Sequence, residues 1–138
     1  MTPNQIQLVQ SSFAKVAPIA EQAAALFYAR LFELAPEVRT MFKGDMVEQG
    51  RKLIAMLSTV VGGLNRVENI VPVAQQLAVR HVGYGVRPAH YTVVGTALID
   101  TLAKGLGDAF TPDTRLAWET AYGTLSAVMI SASQPAHA

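Results

Sequence analysis

Val73-Ala74-Gln75-Gln76-Leu77-Ala78-Val79-Arg80-His81-Val82-Gly83 is the stretch on which the fold turns. Pro72 precedes it as a first-position helix residue, and Gly83 and Gly85 mark its end. Val73, Leu77 and His81 recur every four residues, so a helix places the imidazole on an apolar stripe. A buried imidazole needs a partner. One ring nitrogen can bond a carbonyl one turn back, which leaves the other as a neutral Lewis base on the apolar face. Two readings stand: a core histidine satisfied by backbone, or a ligand to a metal-bearing cofactor. Only two other histidines exist, His90 behind Pro88 and His137 near the end, and neither shares this setting.

Working outward, apolar residues recur at three-and-four spacing almost everywhere and no segment sustains alternation, so the chain reads as all-α. Thr2-Pro3-Asn4-Gln5 is a helix start, with a Thr cap, Pro at the first position and Gln three after the cap. That helix runs to about Val16. The next, about Ile19 to Leu34, carries Ala24, Phe27, Tyr28, Leu31 and Phe32 on one face and stops before Pro36. Pro36 to Phe42 forms one or two turns. Asp45 caps a helix from Met46 to Val61 that aligns Gln49, Leu53, Leu57 and Val60. Beyond the His81 helix, Pro88 opens one that reaches about Leu106, and Thr111-Pro112 opens the last, to about Ser131. Residues 134–138 read as a frayed tail. Six or seven helices in one domain over residues 1–138 is the expectation.

Composition narrows the function. Of 138 residues, 51% are hydrophobic and 15% charged, which leaves apolar surface to spare for a buried ligand or a subunit contact. A net charge of +1, with the basic residues scattered, removes the drive for nucleic-acid binding. With no cysteine there is no disulfide framework, iron–sulfur cluster or thiolate metal site. Neither a secretory signal nor an uninterrupted membrane span is evident, so a soluble, cytoplasmic protein is expected.

The remaining candidates lie on the earlier helices. Tyr28 puts a phenol on a hydrocarbon stripe, either at a core edge or against a ligand. Gln49 is an amide donor on the stripe of Leu53, or a boundary residue. Lys52 and Arg80 can reach an anionic group or simply be solvated, and Phe42 can stack on a flat cofactor or fill core.

Together, Phe27-Tyr28-Ala29-Arg30-Leu31-Phe32, Pro36 to Phe42, Arg80 to Val86, His90 to Gly95 and Ala117-Trp118-Glu119-Thr120-Ala121-Tyr122-Gly123 resemble the single-domain bacterial haemoglobins and the haem domain of flavohaemoglobins. The resemblance spans essentially the whole chain. It implies a globin fold, a three-over-three helical sandwich enclosing haem b. His81 becomes the proximal iron ligand, Phe42 packs on the haem face, and Tyr28 with Gln49 forms the polar pair that meets a gas ligand. Leu53, Leu57, Val86, Val94 and Leu98 line the pocket, Lys52 and Arg80 meet the propionates, and Tyr91 lies near the proximal histidine.

Two departures from the family pattern matter. Where flavohaemoglobins carry a glutamate on the last helix, this chain has Ser133, and no carboxylate follows Glu119. An anionic proximal histidine is therefore not expected. No Gly-rich dinucleotide fingerprint follows the last helix, so reduction of the iron is expected to need an external reductase. The implied function is reversible O2 binding for storage, delivery or scavenging, by a monomer or homodimer that also meets NO and CO. Nitric oxide dioxygenation with that reductase, a gas sensor, and a haem-free helical interaction module are the alternatives.

Overall fold

The computed structural model describes residues 2–42, 44–83 and 88–133. Six α-helices follow in order among the described residues: α1 Pro3–Val16, α2 Ala20–Leu34, α3 Met46–Gly62, α4 Val67–Gly83, α5 Pro88–Leu106 and α6 Pro112–Ser133. Short 3₁₀ turns cover Ala17–Ile19, Pro36–Met41 and Gly107–Ala109, and no strand occurs among the described residues. None of the described helices is long and apolar enough to cross a membrane.

The helix starts follow from local chemistry. At α1, Thr2 Oγ1 accepts from Gln5 N at 3.1 Å while Thr2 N donates to Gln5 Oε1 at 3.0 Å, a reciprocal cap. Asp45 Oδ1 accepts from Val47 N at 3.0 Å to start α3. Thr111 Oγ1 accepts from Thr114 N at 3.2 Å ahead of Pro112 in α6. After α5 the chain turns through Gly107 at φ +55, a left-handed conformation that a Cβ disfavours.

One sequence expectation fails. The fourth helix starts at Val67, and Pro72 lies inside it rather than at its first position. Pro72 cannot donate to the carbonyl of Glu68, so one rung of the helical ladder is absent. Pro72 and Glu68 are both exposed, where water can take that carbonyl. Packing holds the preceding turn: Ile70 sits so close to Gly63 that a Cβ there would meet its Cγ1 at 3.0 Å. The last helix also runs two residues past its expected end, to Ser133, and the expected tail at 134–138 lies outside the described residues.

Two layers of helices close on the core. α5 packs most extensively on α2, and α6 on α4 and α1, with α3 laid across α2. Val9, Phe13, Phe27, Leu31, Leu98, Leu102 and Trp118 fill the main cluster. Val60, Ala74, Ala78, Tyr91, Leu125 and Met129 form a second, where α4 meets α6. Among the described side chains of α4 the fully buried ones are Ala74 and Ala78, while Val73 and Leu77 are only half-covered. Small side chains let α4 approach α6, which leaves the 73–77 stripe turned partly away from the protein core.

The α2–α3 crossing is equally tight. A Cβ on Gly50 would stand 2.9 Å from Ala24 Cβ, closer than side chains pack. Gly50→Val is therefore expected to lower stability by about 1–3 kcal/mol through overpacking. Urea denaturation followed by circular dichroism measures this, and an unchanged midpoint would contradict so close a crossing.

Candidate functional site

Tyr28 occupies the centre of an aromatic group built by α2 and the turn that follows it. Its ring meets Phe27 edge-on at 5.0 Å and Phe42 edge-on at 5.3 Å, and Phe32 lies 6.0 Å away. Phe32 and Phe42 contact one another at 5.5 Å, and the Arg39 guanidinium covers Phe32 at 5.5 Å from its centroid. Pro36 ends α2 and starts the 3₁₀ turn that swings Phe42 back over Tyr28.

The Asp45 cap then fixes the start of α3, and Gln49, whose N–H donates to Asp45 O at 3.0 Å, lies one turn in. Tyr28 is 7% exposed, and burial pushes its phenol above the ordinary value of 10.0. The Gln49 amide, acting on the hydroxyl by hydrogen bonding, pulls it partly back. The phenol thus stays protonated, a donor, throughout the neutral range. Tyr91 and Tyr122 are raised by burial as well. For all three the sign is the same: the protonated phenol is favoured in the fold, so stability falls as pH rises past the ordinary value. Tyr28→Phe is accordingly expected to remove less phenolate absorbance at pH ~10 than one exposed tyrosine contributes. A loss equal to that of an exposed tyrosine would show that burial does not raise the Tyr28 phenol.

Along α3 the stripe runs from half-buried Gln49 and Leu53 to buried Leu57 and Val60, with Lys52 exposed beside it. Leu53 and Leu57 also wall an apolar cavity of about 20 Å³, closed by Ala24 and Phe27 from α2, Leu98 from α5 and Trp118 from α6. On α5, Val94 is half-buried and Leu98 buried. Tyr91 is 7% exposed, and its hydroxyl is buried with no hydrogen-bond partner among the described residues. An orphaned buried phenol is costly, of order 1–3 kcal/mol.

Residue 81 belongs to the last turn of α4. The side chains of His81 and Arg80, and all of Val86, lie outside the described residues. The structure therefore brings together Tyr28, Phe42 and Gln49, and separately Leu53, Leu57 and Leu98. It leaves Lys52 in solvent.

Sequence reasoning gave Tyr122 no role. Its hydroxyl donates to Tyr91 O at 2.6 Å, and its ring fills the space beside Gly95, where a Cβ would meet Cε2 at 2.7 Å. Gly95 inside a helical pattern was the available signal, since such a glycine marks close packing. Nor did local pattern reveal the buried bond from Trp118 Nε1 to Ser12 Oγ at 2.7 Å.

Comparison with known proteins identifies the family. The Globin family model matches residues 25–129. The chain is 30% identical over 128 residues to a flavohemoprotein of Bacillus subtilis, covering 91% of this chain and 32% of that protein. It is 31% identical over 133 residues to a flavohemoprotein of Deinococcus radiodurans, covering 94% and 33%. It thus spans about one third of the length of these relatives. A bacterial globin structure from Campylobacter jejuni superposes with a TM-score of 0.84 at 28% identity, over 96% of both chains. The matched span runs from within α2 to within α6 and includes Tyr28, Gln49, position 81 and Tyr91. The chain belongs to the globin family.

Proposed function

We propose that this chain holds haem b between α3 and α4 and binds O2 reversibly, with His81 as the iron ligand and Tyr28 and Gln49 as the polar pair facing the gas. The observation that carries the reading is the buried Tyr28 phenol, set among the rings of Phe27, Phe32 and Phe42 with the Gln49 amide near its hydroxyl. Two further features fit a flat apolar cofactor. Phe42, Leu53, Leu77 and Val94, from four different segments, are each only half-covered by protein. The Tyr91 hydroxyl, on the helix after α4, is buried and lacks a hydrogen-bond partner among the described residues.

When bound, haem supplies an iron that coordinates a diatomic gas reversibly. The chain does the rest. His81 offers a neutral imidazole nitrogen from the end of α4. Phe42 packs on the porphyrin face, and Leu53, Leu57, Val86, Val94 and Leu98 exclude water. The Tyr28 O–H donates to a polar ligand atom while Gln49 orients the phenol. Lys52 and Arg80 would supply the positive charge for the propionates.

The test is direct. Purified, haem-supplemented protein is expected to show a Soret band, and its ferrous spectrum to shift reversibly as O2 is added and removed. Absence of the band would leave a helical module without haem. The similarity to flavohemoproteins favours one extension, a separate flavin-bearing reductase that keeps the iron ferrous. Nitric oxide consumption that persists only with such a reductase is the corresponding readout.

A further inference from the structure

Where α2 and α3 cross, a single methyl faces a residue with no side chain. A Cβ on Gly50 would stand 2.9 Å from Ala24 Cβ and would meet no other atom of the facing elements within 4 Å. Gly50 is buried and Ala24 is 4% exposed, so neither can turn aside into solvent. The separation of two packed helices is set by the side chains at their contact. Carbons in contact prefer about 3.5–4.0 Å, so a methyl at position 50 would push α3 off α2 by about 0.5–1 Å.

This crossing adjoins the polar pair. Ala24 lies one turn before Tyr28 on the same face of α2, and Gln49 directly precedes Gly50 on α3. The Gln49 amide acts on the Tyr28 hydroxyl from across the two helices. A hydrogen bond spans only about 2.7–3.2 Å, so it does not survive a shift of that size at its full strength. Ala would suit the interior of α3 better than Gly, so the glycine serves the approach of the helices rather than the helix itself.

The structure assigns Gly50 as a positioning residue, whose missing side chain lets α3 bring the Gln49 amide within reach of the Tyr28 hydroxyl. The assignment rests on the reading of Tyr28 and Gln49 as the pair that faces O2.

The experiment compares the full wild-type chain with Gly50→Ala and with the exchange of Gly50→Ala plus Ala24→Gly. The exchange moves one methyl from α2 to α3 and removes the atom that the new Cβ would meet, so the crossing is expected to close again. The first readout is the ¹⁵N resonance of the Gln49 side chain in reduced protein under CO, with and without Tyr28→Phe. Its response to loss of the hydroxyl is expected in the wild type, absent in Gly50→Ala and regained in the exchange. This readout reports position alone and needs no haem. The second is stopped-flow gas release. Gly50→Ala is expected to speed O2 release roughly 2- to 10-fold, the worth of one neutral hydrogen bond. CO release is expected to stay within twofold, and the exchange to return O2 release towards the wild type. A Gln49 resonance that answers Tyr28→Phe equally in Gly50→Ala and the wild type would overturn the assignment. So would equal acceleration of O2 and CO, or an exchange no closer to the wild type than Gly50→Ala. Unchanged O2 release in Tyr28→Phe would instead remove the polar pair from the gas, and the resonance would still decide the role of Gly50.

Discussion

Tyr28→Phe is expected to speed O2 release by roughly 10- to 150-fold. The argument starts from the burial of the phenol, which keeps its proton, and from the rings of Phe27, Phe32 and Phe42, which leave it little freedom to turn. A hydrogen bond to a group that carries charge is worth roughly 1.5–3 kcal/mol, and about 1.4 kcal/mol is tenfold in affinity. Phe preserves the aromatic packing and removes only the hydroxyl, so the rate change isolates the donor. CO, which develops less charge when held, is expected to respond far less. Stopped-flow O2 release within twofold of the wild type would remove Tyr28 from the ligand's surroundings.

His81→Ala carries the other large effect: loss of stable haem retention. Of the three histidines, position 81 alone sits at the end of a helix whose apolar stripe, Val73 and Leu77, is half-bare. Gln49 offers no imidazole in its place. The variant is expected to purify nearly colourless with its helix content intact, because Ala suits the last turn of α4. Added imidazole is expected to restore part of the Soret absorbance by filling the vacated position. A variant that keeps the wild-type spectrum without imidazole would overturn the proximal assignment.

Much of the fold was legible because its punctuation is local. Thr2 with Gln5, Asp45, Thr111 with Pro112, and Pro36 each act within a few residues, and each marks an observed boundary. Pro72 misled because the rule that Pro begins helices describes intrinsic preference. Here the preceding turn is held by Ile70 against Gly63, a tertiary contact that no local window contains. The same limit applies on α4, where a periodicity argument cannot tell the Ala74–Ala78 face from the Val73–Leu77 face. Which one is buried depends on how closely α6 approaches.

In the candidate site, Tyr28 stood out as a phenol on a hydrocarbon stripe, and Gln49 as an amide one turn above Leu53. Their proximity is a product of the Pro36–Met41 turn and the Asp45 cap acting together. The unpartnered hydroxyl of Tyr91 and the bond between Tyr122 and its carbonyl are properties of a packed interior. They have no signature in sequence spacing.

The indole of Trp118 reaches across 106 residues of chain to Ser12. That hydroxyl in turn donates to Leu8 O at 2.7 Å, so the opening and closing helices share one buried polar seam. During synthesis, α1 leaves the ribosome before α6 and can complete this seam only after α6 has emerged, and loop closure over such a span is entropically costly. Until then the face of α1 that meets α6 lacks its partner. Removing α1 would take Ser12 and Phe13 away from Trp118 and bare the indole to water.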